Sequence, residues 1–303
     1  MSSFSIIIPC CNEEEYVFEI HKRLCGVLQE MGDFEIIYID DGSTDRTLPL
    51  IKDLAQTDER VKYLSFSKNF GLEAGMRAGF KYASKRWIIQ IDADLQSPPE
   101  CIPDLYAKAC EGYDAVFALR KGRKDGPLKI VGSMGQHYIS RHILGIDMPK
   151  HASTFRIIDA RVAKKVIRYS DTAYLYFMPE AVAMGMTYGF VEVPHLPREL
   201  GESKFKLLMS LTSTKDLYLG HSLVPLNFFL VLAVLCTFLV FIDSSGVAWL
   251  LAVLFAFGFW IQSIYLGRCV KEMTHKFVYF IREANIPIEP CDDYFEFERD
   301  IQH

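Results

Sequence analysis

The chain has 303 residues, enough for one sizeable domain and a smaller addition, and 50% of them are hydrophobic. A formal net charge of -5 excludes a general nucleic-acid binder, whose domain would be basic. Eight cysteines (10, 11, 25, 101, 110, 236, 269 and 291) form no C-x-x-C pair and no His/Cys ligand spacing, which argues against a zinc site or a disulfide framework and for a reducing compartment.

The opening run MSSFSIIIP is short and lacks a basic lead, so no signal peptide is expected there. Apolar runs at 4–9, 34–40, 61–67, 86–92 and 114–119 read as buried strands. Amphipathic stretches at 13–31, 45–56, 71–84 and 99–111 lie between them; in the first, Val17, Ile20, Leu24 and Leu28 share one face. Strand and helix alternating at this spacing predict an α/β sheet, largely parallel and flanked by helices. Ligands of such sheets bind beyond the carboxyl ends of the strands. Polar clusters follow four of the predicted strands: Asn12 with Glu13, Asp40 with Asp41, Asn69, and Asp92 with Asp94.

Residues 223–242 and 247–267 carry no charge, each long enough to cross the hydrocarbon core as a helix. The DSSG link at 243–246 makes a tight polar turn, so the pair predicts a transmembrane helical hairpin, with Trp249, Trp260 and Tyr265 as interfacial anchors. Lys204, Lys206 and Lys215 precede it and Arg268, Lys271, Lys276 and Arg282 follow it, which places both flanks and both termini in the cytosol. Stretches 203–222 and 268–284 mix lysine with large apolar residues, as an interfacial helix does. The expected layout is a cytosolic domain at 1–202, an interfacial helix at 203–222, the hairpin at 223–267, and a cytosolic helix and tail at 268–303. The competing reading is a hairpin buried in a globular core.

IDADLQSPPE (91–100) delivers Asp92 and Asp94 at alternate positions, with Gln96 two further on. Oxygen ligands at this density suit Mg²⁺ or Mn²⁺ rather than zinc, and such a metal offsets charge on a departing diphosphate. A solvated turn is the plain alternative. An aspartyl phosphatase also uses D-x-D, but on its first strand and with a nearby threonine. In IDDGSTD (39–45), Ser43 or Asp45 caps the next helix, whereas Asp40 or Asp41 suits a hydrogen bond to a nucleobase or ribose. Asn12 and Glu13 edge the same pocket. Asn69 and Gly71 precede a helix with small residues at Ala74, Gly75, Ala78 and Gly79, which equally suit close packing. ALRKGRKDGPLKIVGS (118–133) supplies Arg120, Arg123, Lys124 and Lys129 ahead of an apolar stretch; these suit either a phosphate headgroup or a solvated loop. Arg156, Ser203 and Lys204 extend that basic set.

In order and spacing, IIIPCCNEEE, IDDGSTD, NFGLEAGMRAGF, IDADLQSPPE and GESKF, over about residues 4–284, resemble the GT-A-fold polyprenyl-phosphate glycosyltransferases. That family includes dolichol-phosphate mannose synthase, and the likeness is strongest to the bacterial undecaprenyl-phosphate sugar transferases with a two-helix hairpin. The resemblance implies that Pro9, Glu13 and Asp41 contact the nucleotide, and that Asp92, Asp94 and Gln96 hold Mg²⁺ or Mn²⁺ and the diphosphate. It implies that Arg120, Lys129 and Ser133 grip the lipid phosphate. Lys129 stands where the family has Arg, which keeps the charge and loses the bidentate fork. Ser153-Thr154-Phe155-Arg156 stands where the family often has Ser-Gly-Phe-Arg.

The expectation is therefore an inverting, metal-dependent transferase that moves a sugar from a nucleotide-diphosphate donor, a UDP-sugar, to polyprenyl phosphate for cell-envelope glycan or lipid modification. Its catalytic set is Asp92, Asp94, Arg120 and Lys129. Asn12, Asp40, Asn69 and Gly71 complete the donor set, and Arg123, Arg156, Ser203 and Lys204 the acceptor set. It would sit at the inner (cytoplasmic) membrane as a multi-pass protein, with donor, lipid and membrane as partners, no nucleic acid, and self-association left open. The alternative is a membrane-anchored transferase with a protein or glycan acceptor. A processive polysaccharide synthase would carry a Q-x-x-R-W motif, absent here, and a scaffold without activity would not need the D-x-D. Residues 285–303 fit no role in this scheme.

Overall fold

The computed structural model describes residues 2–121, 138–143, 153–169, 177–194, 196, 224–242, 246–274 and 279–294. Strands β1 (Ser3–Cys10), β2 (Asp33–Asp40), β3 (Val61–Phe66), β4 (Trp87–Gln90), β5 (Ala115–Lys121), β6 (Arg156–Asp159), β7 (Tyr188–Pro194) and β8 (Ile281–Ala284) build one sheet in the order β7-β5-β6-β4-β1-β2-β3-β8. The block β4-β1-β2-β3 is parallel, and β5 pairs with β7 in parallel. β6 runs antiparallel between β4 and β5, and β8 lies antiparallel on β3. The first five strands match the apolar runs of the sequence; β6, β7 and β8 are additions to them.

Helices α1 (Val17–Leu28), α2 (Thr47–Thr57), α3 (Leu72–Tyr82), α4 (Ile102–Ala109), α5 (Ala160–Tyr169) and α6 (Phe177–Ala183) cover the sheet. The pleat sends neighbouring side chains to opposite faces, and β1 shows the result. Phe4, Ile6 and Ile8 pack with Val17, Ile20, Leu24 and Leu28 of α1 on one face. Ile7 goes to the other, with Ile37, Ile39 and the α3 residues Ala74, Ala78 and Phe80. The small residues of α3 serve this contact: a Cβ at Gly79 would overlap Ile7 Cγ2, so only glycine lets the helix lie this close to the sheet.

Helices α7 (Val224–Ile242) and α8 (Gly246–Thr274) pack against each other where the sequence predicts a hairpin. Among the described residues, no helix is long and apolar enough to cross a membrane. One expectation is corrected here. Residues 268–284 are not a separate interfacial helix: α8 runs on through Thr274, and 281–284 is a strand. The reason is a switch to alternation of period two, with Tyr279 and Ile281 buried (5% and 0% exposed) and the residues beside them less so. The predicted interfacial helix at 203–222 and the link at 243–245 lie outside the described residues.

Candidate active site at the carboxyl edge of the sheet

Because β1, β2, β3 and β4 run the same way, the loops after them meet at one edge. The first two loops are laced together. The N–H groups of Asn12, Glu13 and Glu14 donate to Ser43 Oγ (3.0 Å), Thr47 Oγ1 (2.9 Å) and Asp45 Oδ2 (3.3 Å). In return, the N–H groups of Thr44 and Arg46 donate to Asn12 Oδ1 (2.8 Å) and Glu14 Oε2 (2.9 Å). Asn12 takes a left-handed φ of +55°, a conformation that asparagine tolerates better than most side chains. Asp45 also accepts from Thr47 N–H at 2.9 Å, but the residue that opens the helix is Arg46, without a side-chain capping bond, so the expected cap at Ser43 or Asp45 is corrected to a turn contact one or more residues earlier.

Asp40 and Asp41 are buried, at 1% and 5% exposed. Asp40 accepts from Ser65 Oγ (2.7 Å) and Ser43 N–H (3.1 Å), which ties β3 and the turn to β2. Asp41 accepts from the N–H groups of Phe70 (2.6 Å) and Gly71 (2.8 Å), and so holds the loop that leads into α3. Gly71 sits at φ +93°, where any side chain would be strained. Burial raises the Asp41 carboxyl above its usual range, against the two N–H bonds and with the help of Asp40. Asn69 is exposed, and its Nδ2 reaches Cys11 Sγ at 3.2 Å. Pro9 is half-buried near the end of β1, beside Ile39. The structure thus brings Pro9, Asn12, Glu13, Asp40, Asp41, Asn69 and Gly71 to one edge.

After β4, the half-buried Asp92, Asp94 and Gln96 alternate with buried Ile91, Ala93 and Leu95. Leu95 holds a φ of +57°, an outlier for a bulky residue of the kind that clusters at functional turns. Asp94 Oδ1 accepts from Gln96 N–H (3.2 Å), Asp92 Oδ2 accepts from Thr154 Oγ1 (2.5 Å), and Leu196 N–H donates to Gln96 O (3.0 Å). Two carboxylates and an amide oxygen form a hard donor set that fits a small divalent cation. The three-member group of His/Cys/Asp/Glu side chains found among the described residues, His21, Cys25 and Asp58, lies elsewhere. A cation at Asp92 and Asp94 would complete its sphere from water and phosphate oxygens, as Mg²⁺ commonly does.

Arg156 requires a correction. It is 4% exposed on β6, opposite Gln90, and its Nε and Nη2 donate to Gln90 Oε1 at 3.0 and 2.7 Å. The rings of Phe177, Phe80 and Phe117 surround its guanidinium at 5.3 to 5.9 Å. Burial pushes its pKa down to about 10, against the attraction of Glu73 and Asp92. It is a strut under the edge and not an exposed grip for phosphate. Arg120 lies on β5 opposite Val193. Arg123, Lys129, Ser133, Ser203 and Lys204 lie outside the described residues. Thr154, the partner of Asp92, is absent from the predicted sites, although its replacement of a glycine was visible in the sequence.

Residues 5–167, more than half of the chain, match the model of the family described as glycosyl transferase family 2. The chain belongs to glycosyl transferase family 2. Within the family, an uncharacterized glycosyltransferase of Synechocystis sp. is 31% identical over 303 residues, covering 92% of this chain and 94% of its own. An undecaprenyl-phosphate 4-deoxy-4-formamido-L-arabinose transferase of Edwardsiella ictaluri is 29% identical over 314 residues, covering 94% of this chain and 96% of its own. Among solved structures, glucosyl-3-phosphoglycerate synthase from Mycobacterium tuberculosis, in complex with Mn²⁺, UDP and phosphoglyceric acid, shares the fold. Its TM-score is 0.52 at 16% identity, over 72% of this chain and 77% of that one. The family-2 chain is thus a glycosyltransferase with a GT-A-like, mostly parallel α/β sheet.

Proposed function

We propose that this glycosyltransferase moves a sugar from a UDP-sugar to polyprenyl phosphate, with inversion, at the cytoplasmic membrane. The observation that carries the reading is the shared edge. There the loop after β4, with Asp92, Asp94 and Gln96, and the loop after β3, gripped by Asp41, leave the same edge of the parallel block, in a chain that continues into an apolar helical hairpin. A relative named as an undecaprenyl-phosphate sugar transferase aligns over 94% of the chain, which supports the lipid acceptor.

Asp92, Asp94 and Gln96 would hold Mg²⁺ or Mn²⁺, whose role when bound is to offset charge on the departing diphosphate. Pro9, Asn12, Glu13, Asp40, Asp41, Asn69 and Gly71 bind and orient the nucleotide-sugar. Arg120, Arg123, Lys129, Ser133, Ser203 and Lys204 receive the lipid phosphate. A lipid monophosphate, with a second pKa of ~6, is ionised at neutral pH. It attacks the anomeric carbon without a strong general base, so catalysis rests on orientation and electrostatics.

The hairpin is the membrane anchor in this reading. Its full sequence is uncharged over 223–242 and 247–267, and Phe228, Val234 and Phe238 on α7 and Val253, Phe257 and Trp260 on α8 are all exposed. Apolar surface of this extent is characteristic of contact with lipid or another apolar partner. The basic flanks on both sides support a topology with both termini in the cytosol.

The test is to incubate purified protein with a panel of nucleotide sugars and polyprenyl phosphate and to weigh the lipid product. A phosphate-linked sugar that forms with Mg²⁺ or Mn²⁺ and disappears in excess chelator is expected. Transfer to a protein or glycan with the lipid left unmodified would replace this acceptor by the alternative.

A further inference from the structure

The chain leaves α8 at Thr274, and by Tyr279 it is back on the sheet. β8 adds to the outer edge of β3, with Leu64 opposite Ala284 and Ser65 opposite Glu283. Asn285 extends the pairing: its Oδ1 accepts from Tyr63 N–H (2.7 Å) and its Nδ2 donates to Val61 O (3.0 Å). At the far end of the tail, Asp292 Oδ2 accepts from Lys81 Nζ (2.7 Å) and Tyr82 OH (2.6 Å) in the last turn of α3, and from Tyr279 OH (3.3 Å). The tail is therefore fastened to β3 and to α3, the two elements that flank loop 67–71.

It also touches that loop. Ser67 N–H donates to Phe280 O (3.0 Å), and the Phe280 ring meets Phe70 edge-on at 6.4 Å, while Tyr279 stacks on Phe66 at 5.0 Å. On the inner side, Asp41 holds the same loop through Phe70 and Gly71. Loop 67–71 is thus gripped from within by a carboxylate and from outside by a segment more than 200 residues later, as the 222-residue separation of Tyr63 and Asn285 measures.

We propose that residues 279–293 are a positioning element of the donor site: they hold loop 67–71 in the shape that presents Asn69 and Gly71 to the nucleotide-sugar. This rests on the reading of Asp41, Asn69 and Gly71 as donor-site residues. Ordering a loop costs backbone entropy at every residue that is fixed. Contacts made once, on folding, remove that cost from each binding event, and loosening them lowers the fraction of molecules competent to bind. The Phe280 ring and carbonyl make the contact; β8 and Asp292 hold them in place.

The experiment uses the full chain in detergent. UDP with Mg²⁺ is titrated calorimetrically into wild type, Phe280→Ala, Phe280→Tyr, Asp292→Asn and Asp41→Asn, and donor KM, kcat and melting temperature are measured for each. Phe280→Ala should raise the UDP Kd and the donor KM roughly tenfold, the effect of a competent fraction reduced to about a tenth. Its kcat at saturating donor should hold, and Phe280→Tyr should restore affinity. Asp292→Asn should shift affinity the same way by less, and it carries the measurement if Phe280→Ala does not fold. A lower melting temperature with Kd and KM unchanged in both variants would make the tail a mere buttress and overturn the proposal. Weakened UDP binding in Asp41→Asn alone would sink only the role of the tail. Unchanged binding in Asp41→Asn, or no binding by wild type, would remove the donor reading and the proposal with it.

Discussion

Both ends of the sheet bury carboxylates, and they do so in opposite ways. At the amino end, Glu35 is 2% exposed and accepts from Ser5 Oγ (2.6 Å), Ser84 N–H (2.6 Å), Ser84 Oγ (2.8 Å) and the Lys62 ammonium. Burial alone would push its carboxyl up, but these bonds, led by Lys62, outweigh it and hold the group below its ordinary range. At the carboxyl end, Asp41 has two backbone N–H donors and a second carboxylate, Asp40, beside it; burial prevails and its carboxyl rises. Where the fold needs a joint between β1, β2, β3 and the end of α3, it supplies a cation to the anion. At the edge proposed for the donor, it buries a carboxylate against backbone dipoles and beside another acid, with no cation supplied to it among the described residues.

Substitutions at the two ends should separate along the same line. The largest effect is expected at Asp94→Asn: turnover falls at least ~10²-fold, the scale of losing one major electrostatic stabiliser, while the melting temperature holds. Steady-state kinetics beside thermal melts would check this, and a matching loss of stability would erase the contrast. At the other end, Glu35→Gln should cost about 2 kcal/mol in denaturant unfolding, because Lys62 loses its partner, with donor KM unchanged. Arg156→Met should cost about 1–2 kcal/mol through the hydrogen bonds lost to Gln90 and leave KM for the lipid phosphate within a few-fold. A large rise in that KM in a folded variant would return Arg156 to the acceptor set.

The smallest effects concern pH. The folded Glu35 carboxyl lies below its ordinary value of 4.5, so its contribution is fully present above pH 4.5 and is lost as the pH falls through the depressed value. Asp41 has the opposite sign: its carboxyl lies above 3.8, so the fold binds this proton more tightly and loses stability as the pH rises from 3.8 through the raised value. Melting curves between pH 3 and 6 should show a shallower acid limb in Glu35→Gln and a steeper one in Asp41→Asn.

Much of this was legible in the sequence because it is local. Five strands announced themselves as apolar runs, and the acids after β2 and β4 follow from their place after a strand. Ser43 and Asp45 also read as turn or cap residues, and the structure keeps them in the turn and adds that they bind the loop after β1. What the sequence hid is non-local. RIID at 156–159 is too short to declare a strand, and the rings that enclose Arg156 come from α3, β5 and α6, so a basic side chain passed for a surface group. The tail was equally opaque. Asp292 and Asn285 look like surface polar residues until Lys81, Tyr82 and Tyr63 are brought to them from more than 200 positions away.

That distance has a kinetic side. Closing a loop of 222 residues costs about 5 kcal/mol in chain entropy by the logarithmic rule, so the β3–β8 contact is expected late in folding. During synthesis at roughly 5–20 residues per second, β3 waits on the order of ten seconds or longer for its neighbour to be made, with α7 and α8 emerging in between. Throughout that interval the outer side of β3 presents unpaired N–H and C=O groups, the template on which strands of other chains add. The chain carries the partner for this edge more than 200 residues later, so the arrival of Ile281–Ala284 at β3 marks the moment at which the outer side of β3 is no longer open to strangers.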